Sequence, residues 1–296
     1  MRITQQSQAL AMRADLSLVS SRLADIQRQI ASGRQLDRAS DDPAGALEAL
    51  RYRRSLRSYE QYDRNIGDAK AWLRSGDSAL GAIDARLTRA QDLTIQADNG
   101  SLDAVARSAI ATELRGIADE MVGLANTHHL GRPIFGGASG NSQAYDPMGS
   151  FQGDTGTVTR TVGSGASYQV NVTGPDVFGV ENPGDPINGN TFEVLREIAD
   201  RVEAGLPAAV GLDAIERAHA GVHNSQATLG ARLASLEKME SRNEGITIEM
   251  RSALSETEDV DLADAILDLK SQEAAYSAAL GVTGRILDRS LLDFLR

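Results

Sequence analysis

The chain has 296 residues, 41% of them apolar but only 4% aromatic, with no cysteine and a formal net charge of −11. The absence of cysteine excludes disulfide frameworks and thiolate metal sites, and the negative balance argues against broad binding to nucleic-acid phosphates. So few aromatic rings predict little compact core, because those side chains supply much of a core's buried area.

The first element is the clearest. Ala9, Met12, Leu16, Val19, Leu23, Ile26 and Ile30 recur at spacings of three and four, the seam of a helix that packs along another helix. Gly33 suits the left-handed residue that ends such a helix. After a short loop, Asp42 is placed to cap a second helix with Pro43 at its first position, where the missing N–H costs nothing. That helix is expected to run to about Asp98, where Asp98, Asn99 and Gly100 signal a turn. A third, from about Leu102 to Thr127, turns back beside it.

Between Gly131 and Thr191 the sequence is crowded with Gly, Pro, Asn, Ser and Thr. Residues 157–162 and 167–172 alternate around a Gly-rich turn and predict a hairpin. One hairpin is marginal in water, so further strands near residues 143–145 and Phe151 are expected to join it. Helix resumes near Thr191 and stops before Gly205 and Pro207. A long helical stretch from Ala208 to about Ser255 follows, with Leu229, Leu233, Leu236, Met250 and Leu254 in its seam. Residues 257–261 form an acidic break suited to capping a last helix. That helix places Leu262, Ile266, Leu269, Tyr276, Leu280, Leu287 and Phe294 near one face.

The fold class that follows is mainly α with a small β-rich insertion. Long antiparallel helices from both chain ends form a coiled-coil-like bundle, an elongated rod with the β domain at its tip. The expected segments are an N-terminal assembly helix (1–40), a helical rod segment (41–137), a central β-rich domain (138–190), a second rod segment (191–256) and a C-terminal assembly helix (257–296). Residues 1–60 carry ten basic and seven acidic side chains, and residues 191–296 eleven and nineteen. Such opposite balances favour pairing of the ends with each other or with neighbouring copies. Two terminal helices packed alone leave apolar surface that further copies would have to cover. No apolar run approaches the roughly 18–20 residues of a membrane span. The N-terminus lacks the unbroken apolar segment and small-residue site of a cleaved secretory signal.

Residues 30–45, Ile-Ala-Ser-Gly-Arg-Gln-Leu-Asp-Arg-Ala-Ser-Asp-Asp-Pro-Ala-Gly, carry a stronger signal, centred on Gly33, Asp41, Asp42 and Pro43. They resemble the N-terminal motif of the bacterial flagellin family, in which a helix ends in Ser-Gly-Lys/Arg and Asp-Asp-Pro-Ala-Gly starts the next. Residues 78–121 resemble the helical hairpin that follows in that family, and residues 261–280 its C-terminal helix. Three details are similar to the family's hook-associated protein 3 branch. They are the Met-Arg-Ile-Thr start, the Gly-Arg-Pro-Ile-Phe-Gly-Gly run at 131–137 (with Pro133 at a usual aromatic position), and the Ser-Leu-Leu-Asp-Phe-Leu run at 290–295.

The resemblance implies a structural, non-enzymatic subunit of the junction layer between flagellar hook and filament. Its implied partners are copies of itself in a ring, hook-associated protein 1, flagellin, an export chaperone and the flagellar type III apparatus. It also implies an extracellular location reached without signal cleavage, and no cofactor. Filament flagellin itself is the alternative. From another class, a cytoplasmic coiled-coil adaptor would use the same seams.

The residues themselves offer no catalytic constellation. Adjacent His128 and His129 point about 100° apart on a helix and do not share a metal easily. Asp41 and Asp42 read as capping residues. Gly136, Gly137 and Gly140 are followed by no Lys-Ser/Thr, as a phosphate loop requires. Four His, no Cys and scattered Ser assemble no nucleophile–base pair.

Overall fold

The computed structural model describes residues 5–36, 38–40, 42–98 and 102–294, with side chains between residues 10 and 283. It is mainly helical, with two small antiparallel sheets. Two compact units divide it, one of residues 1–58 with 246–296 and one of residues 59–245; the divisions fall inside two long helices.

In the first unit, α1 (Gln5–Ser32) ends where Gly33 adopts φ +70°, a conformation that costs glycine little. The second helix, α2 (Pro43–Ala97), starts as read from its proline. The Asp42 carboxylate accepts the Ala44 N–H at 2.9 Å and satisfies a donor that the first helical turn leaves free. The far end of this unit is the end of α6 (Leu212–Glu258), a short break, and α7 (Leu262–Phe294). Asp261 Oδ1 accepts the Ala263 N–H at 2.8 Å, so the acidic break does cap the last helix.

The second unit holds the core. The α2 residues Ile66, Ala69, Trp72, Leu73, Leu80, Ile83, Leu87, Ala90 and Leu93 are buried at helical spacing. Alongside runs α3 (Ala104–Ala125), with Asp103 as its cap. Arg89–Glu113 and Arg86–Glu120 pairs, both at 2.8 Å, fix it antiparallel to α2. A short helix, α4 (Gly174–Phe178), precedes α5 (Thr191–Glu203). In α5, Asn190 and Glu193 form a reciprocal capping box. Arg115 reaches Asp200 at 2.6 Å, and Arg196 reaches Asp119 at 2.9 Å, so α5 lies antiparallel to α3. One 3-10 turn, Ala209–Gly211, delays α6 beyond the expected start at Ala208.

Strands are few. β1 (His128–His129) pairs with β2 (Arg132–Pro133), and β3 (Thr159–Gly163) with β4 (Ala166–Gln169). The latter pair is the expected hairpin, and the expected further strands amount to a single Tyr145–Phe151 bridge. Side chains from the helices replace the missing strands. Asn65 Nδ2 donates to the Thr161 carbonyl at 2.7 Å, and Asn243 Nδ2 to the Val162 carbonyl at 2.8 Å. Arg160 pairs with Asp68 at 2.7 Å. Val158, Val162, Val170 and Val172 are buried in the same core as the helices.

Composition misleads about that core. Four of the five Phe lie within it or against it: Phe135, Phe178 and Phe192 are buried, and Phe151 packs on them. Tyr145 sits among them, with ring centroids 5.0 Å from Phe192, 5.4 Å from Phe178 and 5.2 Å from Phe151. A low overall fraction of aromatics does not preclude a core when four of the five phenylalanines converge on one place.

Candidate assembly interface

The residues read as a seam in α1 lie on one side of the helix. Met12, Leu16, Val19, Leu23, Ile26 and Ile30 are all half-buried, while their flanking neighbours are largely exposed. That face packs on α7 in antiparallel fashion: the Gln272 amide reaches the Val19 carbonyl at 3.4 Å, and the backbones of Arg34 and Asp259 form an antiparallel β-bridge.

The seam of α7 divides in two. Leu269, Gln272, Tyr276 and Ala279 are half-buried and Ala265 is buried; these five form the packed stripe. Leu262 is 52% exposed, Ile266 49% and Leu280 46%. At about 100° per residue these three stand roughly 60–100° round the helix from the centre of the packed stripe. A three-four spacing in a helix of this composition fits either stripe, and small Ala residues on the packed side give the sequence no strong contrast. Leu287, Phe294 and Asp41 lie outside the residues whose side chains are described.

The motif turn ties the two chain ends together. The Glu258 carbonyl accepts the Gln35 N–H at 2.7 Å, and the Gly33 carbonyl accepts the Val260 N–H at 3.1 Å. The side chain of Glu258 is 7% exposed and pairs with Arg53 at 2.6 Å. Burying a carboxylate is costly unless a partner of opposite charge and hydrogen bonds accompany it. Gly45 completes the turn for a steric reason. A Cβ there would stand 2.5 Å from Asp42 Oδ2 and 3.0 Å from Leu36 Cδ1. Sequence reading finds Gly33, Asp42 and Pro43 but not Arg53 or Glu258, which are 205 positions apart and share no periodic signal.

Apart from Ala49 and Ala265, no apolar residue described in this unit is fully buried. Leu10, Leu18, Leu47 and Leu50 on α1 and α2 are exposed, as are Leu267 and Val282 on α7 beside the three already named. Among the described residues, no helix is long and apolar enough to cross a membrane. The adjacent histidines are engaged separately: His128 Nε2 lies 2.7 Å from the Ser142 carbonyl and His129 Nε2 3.2 Å from Asp68 Oδ1.

Residues 3–138 match the family model of the bacterial flagellin N-terminal helical region. The chain is 27% identical over 278 residues to flagellar hook-associated protein 3 of Salmonella typhimurium, with 85% of this chain and 86% of that protein covered. It is 26% identical over 277 residues to flagellin of Bacillus subtilis, covering 89% and 88%. Its fold matches the crystal structure of flagellar hook-associated protein 3 from Legionella pneumophila with a TM-score of 0.60 at 16% identity, covering 69% of this chain and 97% of that one.

Proposed function

We propose, from this resemblance to the bacterial flagellin family and to hook-associated protein 3 within it, that the chain is a structural subunit of the bacterial flagellum. It forms the junction layer between hook and filament and templates flagellin assembly. The observation that carries the assembly role is the near absence of fully buried apolar side chains in the unit built from the two chain ends. Helices draw most of their stability from tertiary contacts rather than from propensity. A pair that hides its seams only halfway gains most from neighbours that complete the burial.

Assembly then couples ordering to packing. The entropy of fixing the terminal helices is offset when Leu262, Ile266 and Leu280 leave water against adjacent subunits. Copies of the chain close into a ring seated on hook-associated protein 1 and present flagellin-like surfaces to the filament. Before assembly, a cytosolic chaperone covers the C-terminal helix. The flagellar type III apparatus carries the chain out without signal cleavage, so that its place is extracellular.

Electron microscopy of purified chain added to isolated hooks bearing hook-associated protein 1 tests this. One limited layer that afterwards accepts flagellin is the expected result. Unlimited growth from the chain alone would identify filament flagellin, the second reading, which the extent of similarity to the Bacillus protein favours. A stable helical dimer that adds to no hook would instead indicate a coiled-coil adaptor.

A further inference from the structure

Two histidines of α6 take no part in the assembly reading. His219 and His223 are four residues apart, so both imidazoles leave the helix on one face. Their rings stack with centroids 5.9 Å apart and 23° between planes. Asp84 of α2 faces both: its Oδ1 lies 2.8 Å from His219 Nδ1 and 3.6 Å from His223 Nε2. One donor atom from each of the three residues lies within 4.8 Å of the other two.

Zinc holds imidazole nitrogen and carboxylate oxygen at about 2.0–2.2 Å in a tetrahedron, which places neighbouring donors roughly 3.3–3.5 Å apart. Small side-chain rotations take the present trio to that spacing, opening the shortest pair and drawing in the others. The His223 side chain is 59% exposed and those of Asp84 and His219 are 32% and 17%, so a cation enters from solvent past His223.

We propose that Asp84, His219 and His223 form a three-ligand site for a divalent transition metal of the zinc class, with water completing the coordination and the ion tying α2 to α6. Two imidazoles and one carboxylate favour zinc, cobalt, nickel or copper over calcium or magnesium. Ligation through Nδ1 leaves the His219 proton on Nε2, a buried atom without a hydrogen-bond partner among the described residues. A ligand histidine usually donates that proton to a supporting acceptor, and lack of such support weakens a site by about 10–100-fold. The site is therefore an exchangeable one.

The untagged full chain, freed of metal by chelation, is titrated with Co2+ at neutral pH and followed by visible absorption. One equivalent with the intense bands of four-coordinate cobalt is expected, displaced by Zn2+, and Zn2+ should raise the melting temperature. His223→Ala replaces an exposed side chain and should keep the circular dichroism spectrum while losing at least tenfold in affinity. Asp84→Asn should lose binding similarly, and the double change His128→Ala with His129→Ala should leave it intact. Failure of the parent chain to bind one equivalent, or undiminished binding by a folded His223→Ala, overturns the site.

Discussion

The unit of residues 59–245 and the unit containing 1–58 and 246–296 are built from the same kind of amphipathic helix, yet they differ in what those helices meet. In the former, stripes of α2, α3, α5 and α6 close over Phe135, Tyr145, Phe178 and Phe192, and leucines such as Leu80, Leu87 and Leu114 are fully buried. In the latter, the stripes of α1 and α7 meet only partly, and just Ala49 and Ala265 among the described apolar residues are buried. Exposed apolar side chains occur in both units. In the inner one they are single residues in separate elements, such as Val105, Leu130 and Met148, whereas α7 carries Leu262, Ile266, Leu267, Leu280 and Val282 on one helix. An amphipathic pattern thus states that a face requires cover, and the number of facing elements in the same chain decides whether that cover is internal.

The largest expected break in this comparison comes from charging the terminal faces. Leu23→Asp or Ile266→Asp should abolish incorporation and swimming, read from motility halos and isolated hooks. The melting of the inner unit should stay unchanged. Normal swimming by either variant would remove that residue from the proposed assembly face. A second contrast sets stability against stability. Phe192→Ala deletes a ring from the closed core and should cost about 3–5 kcal/mol in urea unfolding. Leu18→Ala, on an exposed stretch of α1, should stay within about 0.5 kcal/mol in the isolated chain. Comparable losses from the two would mean that the terminal helices are as well packed in a single copy as the core.

A smaller effect concerns Asp68, held between Arg160 and His129. Burial alone would raise its carboxyl, but hydrogen bonds from Arg160 and His129, and their charges, outweigh burial and hold it below the usual carboxylate range. A depressed native value stabilises the fold above the ordinary carboxylate pKa and ceases to do so as pH falls through the native one. Asp68→Asn should therefore cost about 1.5–3 kcal/mol near neutrality, the scale of hydrogen bonds to a charged group. Its melting curve should converge with that of the parent in acid; a gap that persists there would assign the loss to packing. The smallest change is Tyr145→Phe. The Tyr145 hydroxyl is buried among rings with no partner among the described residues, so its removal should stabilise the inner unit by about 1 kcal/mol. Destabilisation on thermal melting would indicate that the hydroxyl has a bound partner.

Much of the pairing of the two chain ends was legible in advance because it is local. A helix stop at Gly33, a cap at Asp42 with Pro43, and a three-four seam from Met12 to Ile30 all concern residues within a few turns of one another. The choice between two stripes on α7 was not legible. Leu262, Ile266 and Leu280 satisfy the same spacing as Leu269 and Tyr276, and only the position of α1 separates them. The Arg53–Glu258 pair and the meeting of Asp84 with His219 were equally hidden, although the four-residue spacing of His219 and His223 was visible.

By itself the sequence determined where helices begin and end, which faces are apolar, and the motif that resembles the flagellin family, because capping, turn chemistry and periodicity act over a few residues. The tertiary structure decided where the few aromatic rings gather, which stripe of the last helix is covered, and which distant charges pair. Those outcomes depend on the packing of segments far apart in the chain, and no short-range pattern encodes them.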